Sequence, residues 1–165
     1  MDNVCDDQVY SEIFRTHSKT IFNYIYYKFG NEEKAHDAVQ EAFVKLWENC
    51  AKVAPEKARA FVSTVANNLY LNVIKAEKVR LKHREPGGNV TRESPEFLLE
   101  EQQFKEKLEA ALSALPENQR TTFLLNRIDG KTYVQIAEIE GVSVKAIEKR
   151  MHLALKSLRE EIDGI

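Results

Sequence analysis

Apolar residues in this chain recur at steps of three and four, and no segment shows a convincing alternation of apolar and polar residues. That period constrains the fold more than any other feature. Ala35, Ala38, Val39, Ala42, Phe43, Leu46 and Trp47 follow the helical template without a miss. Tyr10, Ile13, Phe14, His17, Ile21, Tyr24 and Ile25 form a similar face before it, and Gly30 ends that run as a helix-terminating glycine does. His17 reads there as a partly buried packing residue. Phe61, Val62, Val65, Ala66, Leu69, Val73 and Ala76 define a third amphipathic helix, with Arg59, Ser63, Asn67, Tyr70 and Ile74 opposite. Leu98, Leu108, Ala111, Leu112 and Leu115 supply a fourth, ending before Pro116. PENQRTTFLLNRIDG reads as a helix with proline in its first turn and Gly130 just past its end. Thr132 is the expected N-cap of YVQIAEIE, and Ser143 that of a long last helix. With no Asn-Gly hairpin signal either, the predicted fold is all-α, in two small bundles of three to four helices each.

The chain has 165 residues, enough for one ordinary domain or two small ones. Prolines and glycines concentrate in KHREPGGNVTRESPEF, around Pro86, Gly87, Gly88 and Pro95. That composition break predicts a flexible linker over 85–104, separating a domain at 1–84 from one at 105–165. An apolar content of 43% with 30% charged residues is globular rather than disordered. No apolar run approaches the roughly 20 residues of a membrane span. The start, MDNVCDDQVYSE, lacks a basic-then-apolar signal pattern. A cytoplasmic protein without direct membrane insertion is expected. Cys5 and Cys50 belong to no CxxC pair and have no histidine at metal-ligand spacing. They are expected to be plain reduced residues, with neither a disulfide nor a metal site.

The net charge of -2 hides a local asymmetry. Lys75, Lys78, Arg80, Lys82 and Arg84 face one acid, Glu77, at the end of the third helix. An acidic stretch with Glu93, Glu96, Glu100, Glu101, Glu106 and Glu109 follows. The segment IAEIEGVSVKAIEKRMH, residues 136 to 152, has the pattern of a helix-turn-helix. Ala137 lets two helices approach, Gly141 accommodates the turn, and Ile136, Val142 and Ile147 lock the unit. On the last helix Val144, Ile147, Met151, Leu155, Leu158 and Ile162 share one face, with Lys145, Lys149, His152 and Lys156 opposite. Lysine and arginine donate to guanine or phosphate, and Glu148 can accept from cytosine N4.

Taken in order, three segments resemble sigma factors of the sigma-70 family, extracytoplasmic-function (ECF) type. DAVQEAFVKLW, residues 37 to 47, resembles region 2.2, and RAFVSTVANNLYLNVIKAEK, residues 59 to 78, resembles regions 2.3 and 2.4. Residues 111 to 160 resemble region 4. The resemblance implies a non-enzymatic specificity subunit that binds core RNA polymerase and directs it to promoter DNA. It assigns Asp37, Gln40 and Glu41 to the polymerase clamp. It assigns Asn67, Asn68, Asn72, Lys75, Lys78 and Arg80 to the -10 element, and the loop from Lys52 to Arg59 to a pocket for a flipped base. It assigns Ser143, Lys145, Glu148, Lys149, Arg150 and His152 to the -35 element, and the acidic linker to a polymerase channel. It also implies an anti-sigma factor as partner, and no cofactor or small-molecule substrate.

The chain departs from the family pattern at Phe61 and Val62, where Trp and an aliphatic residue are common. It departs again at Asn72 (often Asp), at Lys75 (often Arg), and at Lys145-Ala146 (commonly Gly-Thr). The competing reading is a one-component helix-turn-helix regulator binding duplex DNA without polymerase. It leaves the Asp37-Gln40-Glu41 stripe and the Asn-rich, basic third helix unexplained. No nucleophile-base pair, phosphate loop or metal cluster in the sequence points to an enzyme.

Overall fold

A computed structural model of the chain describes residues 3–81 and 99–162. Among these, seven α-helices and one short 3-10 turn form every regular element, as the helical period predicts. The chain divides into two compact units, Met1–His83 and Arg84–Ile165.

In the first unit, α1 (Asp7–Phe29) begins at Asp6, whose carboxylate accepts from the backbone N–H groups of Gln8 and Val9. It stops at Gly30, which takes φ 85°, a left-handed conformation that glycine adopts without a Cβ penalty. Asn31 then caps α2 (Glu32–Glu48) by accepting from Lys34 N. So tight a connection makes α1 and α2 an antiparallel pair. A 3-10 turn, Pro55–Lys57, leads into α3 (Ala58–Leu81).

α3 enters the core on one edge of the predicted face: Val62 and Ala66 are buried as expected, and Tyr70, placed opposite, joins them. The buried row is Ala58, Val62, Ala66 and Tyr70, with Tyr70 2% exposed, whereas Phe61, Val65 and Leu69 are only half-buried and Val73 is 41% exposed. Small residues at every fourth position, Ala58, Val62 and Ala66, let the helix backbone approach its neighbours. Tyr70 fills the space left, stacking on Phe29 at 4.2 Å between ring centroids. Trp47, assigned by period to the buried side of α2, is 43% exposed.

The expectation for the cysteines is overturned. Cys5 and Cys50 form a disulfide across Cα atoms 5.0 Å apart, a separation that suits a bridge. Spacing rules missed it because the partners lie 45 residues apart in sequence. They meet because the antiparallel pairing returns the end of α2 to the start of α1, where Val4 is fully buried in the same core.

The second unit contains α4 (Leu99–Ala114), α5 (Glu117–Arg127), α6 (Tyr133–Glu140) and α7 (Val144–Glu161). α4 starts inside the span expected to be linker, so 99–104 belongs to a helix; Glu93 and Glu96 lie outside the described residues, as does the side chain of Glu100. Pro116 serves as N-cap of α5 rather than standing within its first turn. Ala111, Leu115, Phe123, Met151, Ala154, Leu158 and Ile162 make the core.

Candidate functional site

Three outward faces carry the residues singled out in the sequence. The first is on α2. Asp37, Gln40 and Glu41 are all exposed, because the opposite side of the helix, Ala35, Ala38, Val39, Ala42 and Leu46, is buried in the core. At about 100° per residue, Val44 falls within the same outward stripe, and it is 54% exposed. Between α1 and α2 lies an open groove lined by Tyr10, Ser11, Phe14, Arg15, Gln40, Phe43 and Val44. Its walls are stiffened by aromatics. Phe14 meets Phe43 edge-on at 4.9 Å, Tyr10 meets Trp47 at 5.2 Å, and the Tyr10 hydroxyl donates to the Phe43 carbonyl at 2.7 Å. The groove and its apolar rim were not read from the sequence. The available signal was a surplus, since α1 and α2 carry more large apolar residues than one face of each can bury.

The second face is on α3. Asn68, Asn72, Lys75 and Lys78 are exposed and share one side of the helix, so they form a row of amide and ammonium donors. Asn67 stands apart from them. It is half-buried, and its Oδ1 accepts from Lys28 Nζ at 2.5 Å across to α1. Arg80 lies within α3, but its side chain is outside the description. Lys34 of α2 pairs with Glu77, so the one acid in the basic stretch is held by another helix and does not face the donors unopposed. Lys52, Glu56 and Lys57 of the connecting loop are exposed.

The third face is on α7. Thr132 and Gln135 form a reciprocal capping box at the start of α6. Gly141, at φ 69°, closes that helix, and the Ser143 hydroxyl accepts from Ala146 N to open α7. Together these caps set the helix-turn-helix. Ile147, Met151, Ala154 and Leu158 are buried, which turns Lys145, Glu148, Lys149 and His152 outward, all exposed. Ser143 is exposed but engaged in the cap. Arg150 does not join the outward row: its side chain is 23% exposed and lies 3.6 Å from the Glu140 carboxylate. Among the described residues no group of three His, Cys, Asp or Glu side chains is placed to hold a metal, and no helix is long and apolar enough to cross a membrane.

Comparison with known families matches Sigma-70 region 2 over residues 13–80 and Sigma-70 region 4 over residues 105–158. The first match holds the α2 and α3 faces, the second the α7 face. The chain belongs to the sigma-70 family, among its ECF members.

The ECF RNA polymerase sigma factor SigE of Mycolicibacterium smegmatis is 25% identical over 92% of this chain, and the chain spans 60% of that relative. The RNA polymerase sigma factor YlaC of Bacillus subtilis is 24% identical over 92% of this chain and 90% of its own length. Among solved structures, the sigma factor RpoE from Bartonella quintana, in complex with the anti-sigma factor NepR, shares the fold with a TM-score of 0.60 at 17% identity, over 94% of this chain and 98% of that one.

Proposed function

We propose that this ECF sigma factor docks on core RNA polymerase through Asp37, Gln40, Glu41 and the adjoining α1–α2 groove, and reads promoter DNA through α3 and α7. The observation that carries the docking assignment is Val44, exposed among acids beside an apolar groove. A face evolved only for solvent has no use for Phe14, Val44 and Trp47 at its surface. A basic, amphipathic helical partner would satisfy acids and groove together.

Asn68 and Asn72 can donate and accept at unpaired base edges of the -10 element, while Lys75 and Lys78 neutralise backbone phosphates. Asn67 plays a supporting role by holding Lys28. Lys145, Glu148, Lys149 and His152 face the major groove of the -35 duplex. The role is that of a specificity subunit, without catalysis of its own, working in the cytoplasm. An anti-sigma factor, the kind of partner present in the RpoE structure, is the further partner we propose.

The test is reconstitution with purified core polymerase and promoter-dependent transcription. Co-elution with core and a defined start site are expected. Failure of both would end the sigma reading, and a dimer that binds palindromic duplex tightly without polymerase would establish the one-component regulator instead.

A further inference from the structure

Glu140 ends α6 with a carboxylate only 5% exposed. Its Oε2 accepts from the Thr122 hydroxyl of α5 at 2.6 Å, and its Oε1 lies 3.6 Å from Arg150 Nη1 on α7. A buried carboxylate is strongly unfavourable unless a donor and a cation satisfy it. Here both come from the two helices that flank α6, and Thr122 itself is fully buried.

We propose that Arg150 is a positioning residue. With Glu140 and Thr122 it forms a polar latch that sets α7 against α6 and α5, and so aims Lys145 and Lys149 at the DNA. Arg150 itself contributes no direct phosphate or base contact. This rests on α7 being the -35-reading helix. The latch acts where the turn is least constrained, because α6 has only eight residues and Gly141 allows more than one exit angle. Packing of Ile136 and Ile147 resists separation of the two helices but not small rotations. The directional Thr122 hydrogen bond, with the ion pair to Arg150 on the other carboxylate oxygen, resists both.

Salt dependence separates positioning from contact. The full chain, bound to core polymerase, is titrated at several salt concentrations with a short duplex that the wild-type complex selects from a random-sequence pool. Lys149→Ala, a phosphate or base contact, should weaken binding and reduce the slope of log K against log salt by about 0.9 if it neutralises a phosphate. Arg150→Ala should weaken binding by about tenfold with the slope unchanged. Glu140→Gln, nearly isosteric, should reproduce that loss, and the Glu140→Gln/Arg150→Ala double variant should be no weaker than either single one. A slope drop for Arg150→Ala equal to that of a lost phosphate contact, or full affinity in Glu140→Gln, overturns the latch. If Lys145→Ala and Lys149→Ala leave affinity intact, the -35 reading of α7 is the one that fails.

The Cys5–Cys50 bridge carries a second inference, independent of the first. A sigma factor shares its compartment with polymerase and chromosomal DNA, where thiol pools keep most cysteines reduced; disulfides found there are usually transient and redox-sensing. This one ties the turn before α1 to the residues just past α2, the open end of the helix pair that forms the docking groove. Cys5 precedes the Asp6 cap of α1, and Cys50 follows Trp47, whose carbonyl accepts from Cys50 N at 3.2 Å.

We infer that the bridge is a thiol–disulfide switch, with the oxidised form the better binder of core polymerase. Reduction by a dithiol proceeds by attack of its thiolate on one bridge sulfur, giving a mixed disulfide and one cysteine thiolate. The reductant's second thiol then closes its own disulfide and releases the other cysteine. Two electrons and two protons pass to the protein in all. Reoxidation needs a disulfide-class oxidant, which takes them back. Freed from the bridge, the N-terminal turn and the Asn49–Ala54 loop are no longer tied to each other and are held by local hydrogen bonds and by the packing of Val4 and Val53 on the core, next to the Tyr10–Trp47 contact beside the groove.

The test measures affinity of the full chain for core polymerase after oxidation with oxidised glutathione and after reduction with dithiothreitol, with helical circular dichroism recorded in both states. Reduction should weaken binding by about fivefold or more, reversibly and with helicity retained. Cys5→Ser/Cys50→Ser should sit at the reduced value under both conditions, which also controls for effects of the reagents on polymerase. Equal affinity of the oxidised and reduced wild type overturns the switch. So does alkylation of both cysteines in protein treated with the oxidant.

Discussion

His17 shows how a single side chain reports its surroundings. It is half-buried on α1, and burial first, then the positive charge of Arg59, holds its imidazole below the ordinary value of 6.5. The unfolded chain therefore binds a proton more readily than the folded one just below pH 6.5. Stability from this residue is complete above that pH and is lost as pH falls through the lower, folded value. Denaturant midpoints followed by Trp47, the only tryptophan, should fall as the pH drops below 6.5, and His17→Asn should flatten that fall. A packing role for His17 was legible in its helical position. The charge opposing it was not, because Arg59 lies on another helix 42 positions away in sequence. Arg150 teaches the same lesson: composition marks it as a DNA-binding cation, and only its proximity to Glu140 commits it to an internal pair.

At the scale of elements, the ends of helices were more legible than their faces. Thr132 and Ser143 cap α6 and α7 as the sequence predicts, and Asp6 and Asn31, not singled out there, cap α1 and α2 by the same chemistry, since a cap depends on two or three consecutive residues. α6 depends on its cap most, being too short to persist without tertiary support. Thr132→Ala removes one half of the capping box and should cost about 1 kcal/mol, read as a lower denaturant midpoint in a helical signal, with weaker -35 duplex binding alongside. Faces are set by neighbours. The buried row of α3 runs through Tyr70 because Phe29 and the alanines define the available space, and α2 presents Val44 because its other side is already full. Val44→Glu leaves the core untouched. It should therefore preserve the thermal midpoint while weakening core polymerase binding by at least about tenfold, as loss of an interface anchor does, measured by competition for core against the wild type.

Across the whole molecule, each unit has its own hydrophobic core, and a cross-link in one should not stabilise the other directly. The disulfide closes a segment of 45 residues, for which loop-closure entropy gives about 4 kcal/mol. Reduction should thus lower the midpoint reported by Trp47 fluorescence substantially. Tyr133 lies in the other unit and packs against its core; with Tyr133→Trp placed in a Trp47→Phe background, that midpoint should stay within experimental error. Equal shifts at both reporters would show that the units unfold together.

By itself the sequence determined the all-α class, the caps of α6 and α7, the helix-turn-helix and the acidic stripe of α2. Each of these follows from periodicity or from contacts a few residues long, where chain connectivity alone fixes who meets whom. Tertiary structure alone decided the Cys5–Cys50 bridge, the inward turn of Tyr70, the exposure of Val44 and Trp47, and the pairing of Arg150 with Glu140. In these cases a side chain's role depends on which partner arrives from another helix. Antiparallel pairing and the limited room in a packed core choose that partner, and no local pattern encodes it.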